Sequence, residues 1–459
     1  MTTTSYAVTA PPPRTEPAAR RVVPLLGVSL GYFMVLLDMT VLSVAEPDLA
    51  RSIGASAAGL QWTVSAYTVV FGALLLSAGA VADRYGAHRV FRTGIAVFGL
   101  GSLLCAWAPN LAVLIALRAL LGVAAAACVP SSMAIITTLY PVPAERAKAV
   151  SVWAAVSGAA LAAGPIVGGV LVDAFSWRAI FDINAPIAVV TLAMTAGRAV
   201  RCGRGDRAID WPPQLAACAA LGLGTDAFIA LGDATYLHAG LSAAGTALIA
   251  AGFAYLERRS AAPVLHPAVL RARGMAGALL AGGAVNFAMS GVLFILPLLF
   301  QQSLGLTPLQ AGLLFLPMTL PFAFNPLVAG RIVAASGPRM PVTAGLTLLT
   351  AGGLAFAGAA YQDEPPYAVL VVGLLCTGFG VSFALPALVT TVITAAPEGT
   401  AGVAGGLLNA TRQLGATLGV VATGAFASTT GDGDPHAFAY ALLIPAAVCL
   451  AAALPAARK

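Results

Sequence analysis

The chain has 459 residues, of which 59% are hydrophobic and only 9% charged. A soluble domain carries roughly 25% charged residues, so a water-covered surface is excluded and lipid is the implied solvent. The formal charge of +6 comes from 24 Lys+Arg against 18 Asp+Glu; these bases lie in short loops between apolar runs, which excludes nucleic acid as a partner.

In chain order, residues 1–21 are polar, with Pro11, Pro12 and Pro13 in series and Arg14, Arg20 and Arg21 close behind. That composition predicts a disordered tail. The apolar run that follows is too long for a signal peptide and reads as an uncleaved first span. A helix crossing ~30 Å of hydrocarbon needs ~20 apolar residues, and segments of that kind fall near 22–45, 59–81, 90–108, 111–136, 147–172, 178–197 and 211–231. Seven more follow near 239–257, 275–299, 309–334, 340–360, 366–396, 401–426 and 436–456. The third and fourth are separated by turn chemistry at Pro109 and Asn110. The expected class is an all-α integral membrane protein of about fourteen spans.

Gly79 and Gly86 flank the turn after the second span, and Gly330 and Gly337, also seven apart, flank the turn after the tenth. A six-span unit repeated in parallel with two extra spans between the copies accounts for that spacing. The expected units are 22–197, a six-helix bundle; 198–274, loops with the two extra spans; and 275–459, a second six-helix bundle. Basic loop residues orient the chain, since they resist translocation. With the N-terminus inside, Arg14, Arg20, Arg21, Arg84, Arg89, Arg92, Arg146, Lys148, Arg198, Arg201, Arg204, Arg207, Arg258, Arg259, Arg271, Arg273, Arg331, Arg339, Arg458 and Lys459 are all cytoplasmic. Outside loops keep only Arg51 and Arg178 and carry Asp363, Glu364, Asp432 and Asp434. Both termini are therefore expected in the cytoplasm of a cell-membrane, multi-pass protein. Arginine outnumbers lysine, present only as Lys148 and Lys459, which fits a GC-rich bacterial source.

The six cysteines show no C-x-x-C spacing, and the four histidines (His88, His238, His266, His436) show no H-E-x-x-H spacing. No metal site is implied. Without a Walker A loop or cofactor motif, an ion gradient is the expected energy source.

Gly79, Asp83, Arg84, Gly86 and Arg89 put an acid and several bases into one tight inner turn. This stretch resembles the G-x-L-a-D-r-x-G-r-[kr] loop of the major facilitator superfamily, secondary transporters with two six-helix halves. Ala87 and His88 stand where that pattern usually has basic residues. Gly158, Gly164, Pro165, Gly168 and Gly169 match the G-x5-G-P-x-x-G-G motif of its exporters at every fixed position. Leu37-Asp38 through Pro47 is similar to the L-D-x-T-v-v-n-v-A-l-P signature of the fourteen-span drug:proton antiporter branch. Trp177, Arg178, Phe181, Asn184 and Pro186 resemble that branch's W-R-w-i-F-x-i-N-x-P element, and Gly405 to Gly415 also looks like it. Glu46 and Asp182 replace aliphatic residues of the pattern near the outer surface, either to widen the exit vestibule or favour a cationic substrate, or as solvated interface residues. The resemblance implies two six-helix bundles with two extra spans, alternating access, and no cofactor beyond a proton gradient.

Ionisable groups at membrane depth are costly and so are functional candidates. From helical rise, Asp38 lies roughly 6 Å outside the midplane and Arg118 ~8 Å, within reach of each other. Asp226 comes at a similar level. A carboxyl at such depth is pulled two ways: loss of water favours its protonated form and a guanidinium its ionised form, so motion that changes their distance switches proton affinity. Asp38, Arg118 and Asp226 are the proton-coupling candidates, Asp38 foremost. Tyr32, Gln61, Trp62, Tyr67, Asn286, Phe287, Gln301, Gln302, Asn325, Phe379 and Arg412 are candidates for a mixed aromatic and polar substrate cavity. The expected function is proton-coupled export of small hydrophobic or cationic compounds by a monomer, its partners being substrate, protons and the bilayer. An importer or facilitator on the same fold, a membrane sensor or an integral-membrane enzyme are the alternatives.

Overall fold

The computed structural model describes residues 18–197, 200–203, 205, 210–260, 267–362, 366–397, 400–429 and 436–458. Arg14, Arg198, Arg204, Arg207, His266, Asp363, Glu364, Asp432, Asp434 and Lys459, used in the charge and motif reading, lie outside these residues.

Every regular element among the described residues is helical. The first half comprises α1 (Ala18–Ile53), α2 (Ala57–Tyr85), α3 (Ala87–Ala106), α4 (Leu111–Leu139), α5 (Pro143–Ala174), α6 (Ala179–Asp182) and α7 (Asn184–Met194). Between the halves run α8 (Trp211–Gly232), α9 (Tyr236–Arg259) and the short α10 (Pro267–Leu270). The second half comprises α11 (Met275–Leu298), α12 (Pro308–Leu314), α13 (Leu316–Ser336), α14 (Arg339–Ala360), α15 (Tyr367–Ala395), α16 (Ala401–Thr429) and α17 (Ala437–Arg458). Among the described residues eleven helices are long and apolar enough to cross a bilayer, and Leu316–Ser336, bent by 49°, makes a twelfth if its two parts count as one span. Pro321 and Pro326 inside α13 remove backbone hydrogen bonds and account for that bend. The α6–α7 pair and α16 occupy the two remaining positions of the fourteen expected.

Local chemistry sets the helix ends. Asn110 caps α4 by accepting from Val113 N at 3.0 Å, and Ser56 caps α2 by accepting from Gly59 N at 3.2 Å. Gly86 between α2 and α3 has φ +90°, and Gly337 between α13 and α14 has φ +81°, conformations in which a Cβ is strained. One expectation needs correcting: α1 begins at Ala18, so residues 18–21 are helical rather than tail. The reason is tertiary, since Arg21, nearly buried, reaches Glu145 in the first turn of α5 at 3.5 Å.

Packing repeats. In the first half α1 packs on α5 and α7, α4 on α2 and α3, and α3 on α7; in the second, α11 packs on α16 and α17, α15 on α13 and α14, and α14 on α17. The same exchange relates the contacts between halves, where α2 meets α16 and α5 meets α12 and α13. The extra helices α8 and α9 pair with each other, and α8 lies over α2 and α16 at the periphery. Most of the α9 surface is therefore open to lipid.

Here the end at which α1 begins is termed inner and the opposite end outer. The halves meet closely along their middle and outer parts. A Cβ on Gly169 would lie 2.6 Å from the Pro308 carbonyl oxygen, and one on Gly424 2.5 Å from Gln61 Nε2. Towards the inner end, a Cβ on Gly79, Gly330 or Gly405 would meet nothing within 4 Å. The close contacts between the halves at Gly169 and Gly424 lie towards the outer end.

Candidate functional site

The charged core of the first half is built on α1 and α4. Arg118 donates through Nη1 to Asp38 Oδ2 and through Nε to the Thr63 carbonyl at 3.0 Å. Both side chains are buried, at 1% and 0% exposure, so each charge depends on the other. Tyr67 lies under the guanidinium, its ring centroid 4.6 Å from Arg118 Cζ, and its hydroxyl donates to the Val35 carbonyl at 3.3 Å. Asn184 Nδ2 completes the set, donating to Asp38 Oδ1 at 3.1 Å and to Ser102 Oγ at 3.0 Å, and Ser102 in turn donates to the Phe181 carbonyl at 2.9 Å. Tyr67 thus lies beside the ion pair, fully buried.

Asn184 and Ser102 were absent from the candidate set. Asn184 stood in the W-R-x-x-F-x-x-N-x-P stretch, but only the break between α6 and α7 brings its amide to Asp38. That break is held from outside: Trp177 is fully buried, its N donates to Asp48 Oδ2 at 3.1 Å, Arg178 lies over its ring at 4.4 Å, and Phe181 meets it edge-on at 6.1 Å.

Asp226 is elsewhere. It bridges α8 and α9, accepting from Ser242 Oγ at 2.6 Å and pairing with His238 Nε2 at 2.8 Å. That pair sits at the periphery, apart from Asp38 and Arg118.

The second half has its own cation. Arg412 of α16 donates from Nε to Asn286 Oδ1 at 3.1 Å and from Nη1 to Asn409 Oδ1 at 3.0 Å, and no carboxylate lies within ion-pair distance among the described residues. Tyr32 of α1 stacks on Trp153 of α5, centroids 4.6 Å apart. The other cavity candidates scatter. Gln61 is buried against Gly424 in the α2–α16 contact, and Asn325 donates to Ser382 Oγ at 2.7 Å inside the second half. Phe379 packs edge-on with Phe324 at 6.0 Å, and Gln301 donates to the Val44 carbonyl at 2.9 Å near the outer end. Gln302 is exposed in an outer pocket with Arg51 and Asp173, while Trp62 and Phe287 are half-buried. Buried amides of this kind join helices in place of water, so polarity in a span marks a packing contact as readily as a cavity.

The glycine motif divides. Gly164 abuts the Thr40 hydroxyl, Gly168 abuts Val41, and Gly169 with Pro165 receives Pro308, Leu309 and Gly312 of the second half; Gly158 touches nothing. In the inner turn, Gly205 N donates to the Asp83 carbonyl at 2.8 Å, Arg84 lies 5.9 Å from the Tyr85 ring, and Arg89 is exposed. The two acids that depart from the motif also separate. Asp182 is exposed, whereas Glu46, 2% exposed with Oε2 unpartnered, is no solvated interface residue.

Two helical halves with the same packing pattern, a buried ion pair in one and a half-buried guanidinium in the other, define a polytopic transporter. The Major Facilitator Superfamily description matches residues 28–420, with a second match over 278–458 that begins within α11. The chain is 33% identical over 407 residues to the multidrug resistance protein Stp of Mycobacterium tuberculosis, covering 87% of this chain and 74% of that one. It is 35% identical over 463 residues to the puromycin resistance protein pur8 of Streptomyces alboniger, covering 95% and 91%. Its fold is similar to the inward-facing bacterial homolog of the lysosomal transporter Spinster, with a TM-score of 0.68, 16% identity and 96% of both chains covered. The chain belongs to the Major Facilitator Superfamily, and its relatives put it in a drug-efflux branch.

Proposed function

We propose that this chain is a proton-coupled antiporter of the cell membrane that exports small hydrophobic or cationic compounds by alternating access, as a monomer with both ends cytoplasmic. The observation that carries the reading is the buried Arg118–Asp38–Asn184 network. An ionised carboxyl at this depth is tolerated only beside its cation. Protonating Asp38 would release Arg118, and a change in helix packing that separates the two would favour the proton. Substrate and proton then compete for one conformational cycle, which is the requirement for antiport.

Two further observations support the reading. Gly169 and Pro165 of α5 meet Pro308, Leu309 and Gly312 of the second half near the outer end, a contact that fits the inward-open state of alternating access. The names of the relatives, multidrug and puromycin resistance proteins, support drug-like cargo.

Expression in an efflux-deficient host should raise resistance to one or more compounds of a susceptibility panel, and an uncoupler should abolish the gain. Resistance indifferent to the uncoupler would remove proton coupling. Compound accumulation instead of loss would make the protein an importer.

A further inference from the structure

We propose that the groove between the inner parts of α3 and α7 binds one anionic phospholipid. The groove encloses about 960 Å³. Arg89 and Arg92 of α3 and Arg201 of the segment after α7 line its mouth, and none has a carboxylate within ion-pair distance among the described residues. Like charges gathered in this way repel one another, and a phosphate group between them removes the repulsion while accepting paired guanidinium hydrogen bonds.

The mouth is built by the fold. Cys202 N donates to His88 Nδ1 at 3.1 Å, Gly205 N donates to the Asp83 carbonyl at 2.8 Å, and Val200 is buried. Residues 200–203 and 205 are thereby pinned across the α2–α3 turn, and Arg201 lines the groove opposite α3. Deeper along the groove the lining becomes apolar, with Ala96, Val97 and Leu100 of α3 facing Leu192 of α7. From Arg89 to Leu100 the helix rises about 16 Å, close to half of a hydrocarbon core of ~30 Å. Charge at the mouth and an apolar wall one leaflet deep match the headgroup and acyl chain of a single lipid. A free anion would use the arginines and leave the wall without a role. That the mouth opens at the cytoplasmic leaflet rests on the orientation proposed above; the binding itself does not.

The test is native mass spectrometry of the full-length protein in detergent, titrated with phosphatidylglycerol or with phosphatidylcholine of the same chains. The wild type should retain phosphatidylglycerol in preference to phosphatidylcholine. R89Q/R92Q/R201Q should lose that preference, with retention falling roughly tenfold as three charge-assisted contacts go. R271Q/R273Q, which removes two bases outside the groove, should behave as the wild type. Leu100→Trp keeps every arginine but fills the groove, and it too should lower retention, so the proposal stays testable should the triple variant fail to fold. Equal retention by wild type and Leu100→Trp, equal loss in R271Q/R273Q, or displacement of the lipid by inorganic phosphate would overturn the assignment. Since detergent has no leaflets, none of these outcomes depends on which end is cytoplasmic.

Discussion

Asp38 and Arg118 lie eighty positions apart in sequence, yet depth alone placed them within reach, because helical rise converts position in a span into distance from its ends. Asp38→Asn keeps the shape and the bond from Asn184 but cannot titrate. The expected outcome in reconstituted liposomes is loss of substrate-induced proton release with substrate binding retained; export against a gradient equal to wild type would remove Asp38 from coupling. Asp226→Asn should leave proton release intact, since its partners Ser242 and His238 lie on the peripheral α8–α9 pair. Arg118→Ala strands a buried carboxylate and should cost about 3–5 kcal/mol if Asp38 stays ionised, read as a lower unfolding temperature that Asp38→Asn in the same chain partly restores. Asn184 escaped the sequence reading because its role depends on a helix break, which no periodicity announces.

At the scale of the element, glycines in a membrane helix matter only where another backbone arrives. In α5, Gly164 abuts Thr40 whereas Gly158 faces open space. Gly164→Leu should therefore abolish efflux by overpacking, at a cost of about 1–3 kcal/mol or more, and Gly158→Leu should retain it. Both variants need normal membrane insertion, measured by surface expression, for the contrast to count. Equal efflux from the two would deny the α5 contacts any part in export. The motif was legible as five fixed positions, but its letters do not say which of them carry the close approach. In the same way the sequence does not say that Gln61 packs against Gly424 or that Asn325 donates to Ser382; only packing shows those contacts.

For the whole molecule, the two halves touch at Thr68 of α2 and Thr417 of α16, whose hydroxyls are 2.7 Å apart. A cysteine pair there, in a variant free of other cysteines, should form a disulfide that holds the outer side shut and stops transport, with reductant restoring it. Unimpaired transport with the bridge intact would refute separation of the halves at this level. Topology has its own check: an impermeant thiol reagent on intact cells should label Thr235→Cys and spare Arg258→Cys, since the positive-inside reading puts the first outside and the second in the cytoplasm. The reverse pattern would invert the orientation.

Helix number, the membrane environment and the superfamily were all readable before any coordinate, since each follows from local composition, span length and loop motifs that act within one helix or turn. The turn geometry at Gly86 and Gly337 and the cap at Asn110 belong to the same local order. Folding alone decided which polar groups meet: Asn184 with Asp38, Gln61 with Gly424, Arg412 with Asn286, and three arginines around one groove. The physical reason is that lipid rewards apolarity equally on every outward face, so pattern alone does not rank the inward ones. A side chain's partner is set by the rotation and crossing of helices far apart in the chain, and those are fixed by packing of the whole bundle.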